Sequence, residues 1–163
     1  MSTDDNDKDS NGTILIYTDG SCKNNGSKDK AKVRSGVGVH FSSENLIPMD
    51  DISMKFPLTN PTNNRAELYA IFVAIRTCYE KNVTKLVIYT DSRYSLKCIT
   101  EWYPNWVSKN TLKNRKNLDI LPDIAALMEK VEVTFQHMRA HTGLKDKHSL
   151  GNERSDYLAN ACL

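Results

Sequence analysis

Apolar residues in this chain recur first with a period of two and then with helical spacing, and the order of the two patterns predicts the fold class. Residues 13–21, "TILIYTDGS", are apolar until they turn polar at the end, as a first strand does. "SGVGVHF" (35–41) alternates glycine with apolar residues as a second strand, and "DISMKFPL" (51–58) reads as a third. Short polar turns between the three predict an antiparallel meander. The period then changes. "NNRAELYAIFVAIRTCYEK" (63–81) sets Leu68, Ile71, Phe72, Ile75, Cys78 and Tyr79 on one helical face. "KLVIYT" (85–90) is apolar on both faces, as a central parallel strand is. A helix from Ser92 toward Trp102 is expected to break at Pro104. Beyond the polar, basic stretch 105–118, a helix is expected over 118–130 around Pro122. An alternating fifth strand over 131–138 and a closing helix over 152–163 complete an α/β domain, a mixed five-stranded sheet flanked by helices.

A chain of 163 residues suits one domain with a substantial core. Its apolar runs fall far short of a membrane span, and "MSTDDNDKDS" has neither the basic nor the apolar region of a signal peptide. An intracellular protein with no membrane partner is the expectation. Cys22, Cys78, Cys98 and Cys162 are scattered without a CxxC pair, which argues for reduced thiols over zinc or disulfides. Residues 1–12 carry four Asp and one Lys and read as a disordered acidic tail. Without them the chain has 21 basic and 16 acidic side chains, a surplus that permits a nucleic-acid partner without requiring one.

Two of the apolar strands, at 15–21 and 86–92, deliver an aspartate where the apolar run ends: Asp19 and Asp91. Open α/β sheets usually keep their sites at such strand ends. Each has a local explanation as well. Asp19 precedes Gly20 as a turn aspartate does, and Asp91 stands where a helix N-cap would. Glu67 follows Asn64 at capping-box spacing, and Asp156 lies in the first turns of the closing helix, where negative charge suits the dipole. Taken together the four read differently. Strands one and four would bring Asp19 and Asp91 side by side if they pair in parallel, and the two helices could bring Glu67 and Asp156 to the same place. Four crowded carboxylates repel, so such a cluster needs protons or cations, and hard divalent ions with oxygen ligands are the natural partners.

The motifs "IYTDGS" (16–21), "TNNRAEL" (62–68), "IYTDS" (88–92) and "GNERSDYLA" (151–159) stand in the order and at the spacings of the type 1 ribonuclease H family, which the chain resembles over 13–163. The resemblance implies a ribonuclease H-like fold, with 13–163 as the catalytic domain. It also implies endonucleolytic hydrolysis of the RNA strand of RNA–DNA hybrids, leaving 5′-phosphate and 3′-hydroxyl ends. Two Mg²⁺ ions are implied, with Mn²⁺ as a substitute: Asp19 bridging both, Glu67 and Asp91 on the leaving-group side, Asp156 on the side that activates water. A non-catalytic hybrid-binding module and a same-fold nuclease with another substrate are the alternatives.

The same resemblance implies how a hybrid is held by a single, monomeric chain. Asn25, Asn63 and Asn64 occupy minor-groove positions facing RNA 2′-hydroxyls, which short amides suit because they both donate and accept. Tyr94, Trp102 and Trp106 line a channel for the DNA strand, and Thr62 with Asn117 forms a pocket for one of its phosphates. Family members often have Arg two residues before that Thr, and here it is Asn60, so that contact should be weaker or rebuilt by another base. Lys109, Lys113, Arg115 and Lys116 form a shortened basic segment at the place of a basic protrusion. His141, in "RAHTG" after the fifth strand, matches the histidine that assists proton transfer or product departure, and its strand-end placement favours it over His148.

Overall fold

The computed structural model describes residues 12–139, 143 and 145–163. The tail expected over 1–12 therefore lies, save Gly12, outside the described residues, and so does His141. Strand β1 (Thr13–Lys23) is flanked by the antiparallel β2 (Arg34–Phe41) and the parallel β4 (Lys85–Thr90). β3 (Ile52–Lys55) pairs antiparallel with β2, and β5 (Glu132–His137) pairs parallel with β4, giving a mixed five-stranded sheet of order β3-β2-β1-β4-β5. The expected sheet is thus present, with a third strand much shorter than 51–58.

Helix α1 (Asn63–Glu80) lies across one face of the sheet and buries Leu68, Ile71 and Ile75 against Ile14, Ile16, Val37 and Ile88. The short α2 (Arg93–Lys97) leads into a π turn, Cys98–Trp102, and that turn into α3 (Tyr103–Ser108). Helix α4 (Leu121–Met128), shorter than the expected 118–130, adds Leu121 and Ile124 to the same core. Pro104 does not break the helical path as expected. The wide turn closes with the Tyr103 N–H on the Cys98 carbonyl, and Pro104 then falls in the first turn of α3, where no N–H is needed.

The opposite face of the sheet is covered by α5 (Lys147–Ala161), which begins five residues earlier than its sequence pattern suggests. Its first turn, "KHSL", is largely polar, and its boundary is set by the Asp146 side chain, which accepts from the Ser149 N–H. Close seating of α5 on β2 depends on Gly38, where a β-carbon would stand 2.2 Å from the Ser155 carbonyl oxygen and 2.5 Å from the Ala159 nitrogen. The Ser21 hydroxyl ties α5 to the sheet further by donating to the Ala159 carbonyl at 2.8 Å. Cys22, Cys78, Cys98 and Cys162 are all free thiols. No helix among the described residues is long and apolar enough to cross a membrane.

Gly38→Ala is expected to lower the unfolding free energy by about 1–3 kcal/mol, the usual cost of forcing atoms into a filled space. Urea denaturation reads this directly, and an unchanged midpoint would show that α5 does not rest on β2 in this way.

Candidate active site

Parallel pairing between β1 and β4 runs from Thr13↔Lys85 to Tyr17↔Tyr89. β1 continues to Lys23 beside β2, while β4 ends at Thr90, so Asp19 lies in mid-strand where the two have parted and Asp91 follows directly on β4. The expectation that both aspartates close their strands holds for Asp91 alone. Glu67 reaches this gap from α1 because Gly20 has no side chain: a β-carbon there would be 2.3 Å from the Glu67 nitrogen. Asp156 reaches it from α5, through the close seat at Gly38.

Asp19, 5% exposed, and the half-buried Glu67 and Asp91 each present an oxygen within 4.8 Å of the others. Asp156 lines the same cavity of about 450 Å³ and comes within hydrogen-bonding reach of Asp19. Burial pushes the Asp19 carboxyl up to about 9 from an ordinary 3.8. The charges of Asp91 and Glu67 and the Asp156 contact add to this, against the Gly20 N–H that donates to Asp19 Oδ1 at 2.8 Å. Burial also raises Glu67 to about 7, with the Ser92 hydroxyl opposing and the Asp91 charge adding. All these donors are carboxylate oxygens, and the chain itself disfavours the charge of Asp19 and Glu67 among them, a set that suits a hard divalent cation.

The local explanations fare unevenly. Thr62, not Asn64, caps α1, its hydroxyl accepting from the Arg65 N–H at 3.1 Å, so Glu67 belongs to no capping pair. Ser92, not Asp91, caps α2. Asp156 lies well inside α5, because the helix starts at Lys147, and its first-turn reading falls away. Only the Asp19–Gly20 contact remains, and it does not account for the company Asp19 keeps.

A second cavity, of about 700 Å³, adjoins the first at Asn63 and brings together Asn25, Asn64, Thr62, Tyr94 and Asn117. Asn25 Oδ1 accepts from the Asn63 N–H at 3.3 Å. Asn117, in the left-handed region at φ +65°, accepts from Arg65 Nη1 at 3.1 Å and donates to the Tyr94 hydroxyl at 3.0 Å. Arg65 grips Asp119 with both its terminal nitrogens, at 3.0 and 2.6 Å, and donates to the Thr59 carbonyl at 2.9 Å. The pair holds the Asp119 carboxyl below its ordinary range. Sequence reasoning misses Arg65 and Asp119, since nothing local connects residues 54 apart. It misses Lys23 too, on the rim of the carboxylate cavity.

Trp102 is 38% exposed and meets Tyr94 edge-on at 5.6 Å. Trp106 is half-buried against the core, with the Arg115 guanidinium over its ring at 4.9 Å. His148 sits on the first turn of α5, its Nδ1 2.8 Å from the Tyr17 hydroxyl and its ring stacked on Tyr89 at 4.4 Å, so it docks the helix on the sheet. His40 pairs with Asp51 at 2.8 Å, and His137 Nε2 lies 3.3 Å from the Asp91 carbonyl.

A family model described as RNase H matches residues 11–163. Ribonuclease H of Cupriavidus pinatubonensis is 32% identical over 151 residues, 90% of this chain and 92% of that protein. Ribonuclease H1 of Mus musculus is 30% identical over 152 residues, again 90% of this chain, which spans only 49% of the mouse protein. Among solved structures, the solution structure of the PFV RNase H domain superposes with a TM-score of 0.70 at 25% identity, covering 91% of this chain and 92% of that one.

The raised carboxyls fix the sign of a pH effect. Between the unfolded value near 3.8 and the folded value of about 9, the metal-free native chain keeps a proton on Asp19 that the unfolded chain has released. Stability is therefore fully present at the acid end of this range and is lost as pH rises toward 9, and Glu67 adds the same sign up to about 7. Metal-free Tm is expected to fall from pH 5 to pH 9, Mg²⁺ to restore more of it at higher pH, and Asp19→Asn to flatten the profile. Thermal scans with chelator or Mg²⁺ check this; a metal-free Tm that holds level or climbs contradicts it.

Proposed function

The chain belongs to the type 1 ribonuclease H family, and on that premise we propose that it is a metal-dependent endonuclease hydrolysing the RNA strand of RNA–DNA hybrids. The observation that carries this is the convergence of Asp19, Glu67 and Asp91 within 4.8 Å, with Asp156 beside them, where burial resists the negative charge of Asp19 and Glu67. In this reading Asp19 would be a ligand to both ions, Glu67 and Asp91 would hold the one on the leaving-group side, and Asp156 the one on the water side. Two Mg²⁺ ions, or Mn²⁺ in their place, would supply Lewis acidity at the phosphorus and lower the pKa of the attacking water.

The chain's own part is placement. Rigid strands and well-seated helices hold the carboxylates fixed, so little reorganisation accompanies the reaction. Water gives up a proton as its oxygen adds to phosphorus, the bond to O3′ breaks, and O3′ takes up a proton, leaving a 5′-phosphate and a 3′-hydroxyl. His141 assists that proton transfer or the departure of product. The contacts of the His148 ring with Tyr17 and Tyr89 support His141 over His148 for this role.

Recognition rests on the second cavity. Asn25, Asn63 and Asn64 face the minor groove and read RNA 2′-hydroxyls, the group that separates RNA from DNA. Thr62 and Asn117 receive a phosphate of the DNA strand, and Tyr94 and Trp102 pack on its sugars. Because the cavities meet at Asn63, one duplex can span both.

The test is cleavage of end-labelled RNA–DNA hybrid, double-stranded RNA and single-stranded RNA, with Mg²⁺ or chelator. Only the RNA of the hybrid should be cut, only with metal, and Asp19→Asn should slow it by about a hundredfold or more, as removing electrostatic support from the transition state does. Persistent binding without cleavage would mean a hybrid-binding module. Cleavage of another substrate would mean a different nuclease on the same fold.

A further inference from the structure

The second cavity presents hydrogen-bond donors with no carboxylate among its lining residues. The Thr62 hydroxyl oxygen accepts from the Arg65 N–H, which leaves its own hydrogen to donate. Asn117 has spent its carbonyl oxygen on Arg65, and only one of its two N–H hydrogens goes to Tyr94, so its free side is also a donor. Such a lining fits an anion. The local arginine cannot supply the charge, for Arg65 is committed to Asp119 through both terminal nitrogens. Asn60 sits at φ +54°, a left-handed backbone that Asn tolerates better than a long side chain does. The remaining cations in the lining are Lys30, from a short 3-10 turn, and Lys116, one residue before Asn117. Both are exposed and enter no ion pair among the described residues.

Arg115 shows the same tendency one residue away. Its guanidinium lies over Trp106 at 4.9 Å and its Nε donates to the Thr111 carbonyl at 2.9 Å. With the core behind the indole and Arg115 over it, what faces outward at Trp106 is a preoriented cation whose terminal N–H groups can donate.

We propose that Lys30, Lys116 and Arg115 form the cationic grip on the uncleaved DNA strand: Lys30 and Lys116 on the phosphate seated at Thr62 and Asn117, Arg115 on a neighbouring phosphate in place of the face of Trp106. This rests on the hybrid-binding reading above. The grip carries no base information; it fixes the register of the duplex over the carboxylates.

Hybrid affinity would be measured across 50 to 200 mM salt in the Asp19→Asn background, which holds cleavage off. Each phosphate neutralised steepens the plot of log K against log salt by about 0.9. Arg115→Gln, and Lys30→Gln combined with Lys116→Gln, should each make it shallower by about that amount, so each change makes the salt-driven fall in affinity about 3.5-fold smaller over this range. Lys30→Arg and Lys116→Arg should restore the slope. A methylphosphonate at the gripped DNA phosphate should flatten the plot for the parent and add nothing in the chain that carries both Lys30→Gln and Lys116→Gln. Slopes identical to the parent's, with the parent binding hybrid firmly, would overturn the grip alone. No hybrid binding by the parent would overturn the functional reading, and the grip with it.

Discussion

Mutual repulsion among Asp19, Glu67 and Asp91 is the constraint on which the rest of this structure depends. Carboxyl groups within 4.8 Å of one another, one of them 5% exposed, push against the fold that holds them whenever they ionise together. The chain contains the repulsion by anchoring each carboxylate to a different element: Asp19 in the central strand β1, paired with β4 from Thr13 to Tyr17 and with β2 from Ile16 to Lys23, Asp91 at the end of β4, Glu67 on the longest helix. The core under α1, with Leu68, Ile71, Ile75, Ile16 and Ile88 almost wholly buried, opposes any relaxation that would let the oxygens separate. Close approach at backbone distance, through Gly20 and Gly38, makes the cluster possible at all, since any side chain at either position would hold a helix and its carboxylate away.

A second constraint serves the neighbouring cavity. Arg65 stands on the first turn of α1, two residues before Glu67, and its fork reaches Asp119 and Asn117 in a loop more than 50 residues downstream. The bond therefore couples the wall of the polar cavity to the helix that carries a carboxylate. An arginine spent on structure cannot also hold a ligand, so cavity charge falls to lysines on exposed turns. Bidentate pairing gives geometry and exposed ammonium gives attraction, and this chain assigns the two to different residues.

Much of the fold is legible in the sequence because its elements have one buried face and clean periods: α1, β4 and the order of the sheet all follow from the spacing of apolar residues. The departures have particular causes. The first turn of α5 is set by the Asp146 cap, and its polar residues bear no periodic signal, so the pattern puts Asp156 in a first turn when it lies far along the helix. Pro104 looks like a stop because a proline normally is one, and only the π turn before it makes the position tolerable. Local spacing makes three of the carboxylates look like caps or dipole partners, while Thr62, Ser92 and Asp146 perform the capping. The four-carboxylate constellation is legible as motifs in order. The Arg65–Asp119 tie is not, because ion pairing across a fold leaves no trace in either residue's neighbourhood.

The two cavities share Asn63, and this has a geometric consequence for the proposed reaction. Asn63 begins α1, with its N–H held by Asn25 Oδ1, and Glu67 follows about one helical turn later on the same rigid element. The distance between the amides that would read the RNA sugar and the carboxylates that would act on its phosphate is therefore set by one turn of helix. The opposite strand would meet Thr62, which caps that same helix, and Asn117, which Arg65 ties to it. Both strands of a duplex would thus be referred to the N-terminal turn of α1. A strand without 2′-hydroxyls at Asn63 would forgo its amide hydrogen bonds while the other strand stayed in place, so discrimination of RNA from DNA would follow from which strand is held where, without a moving part.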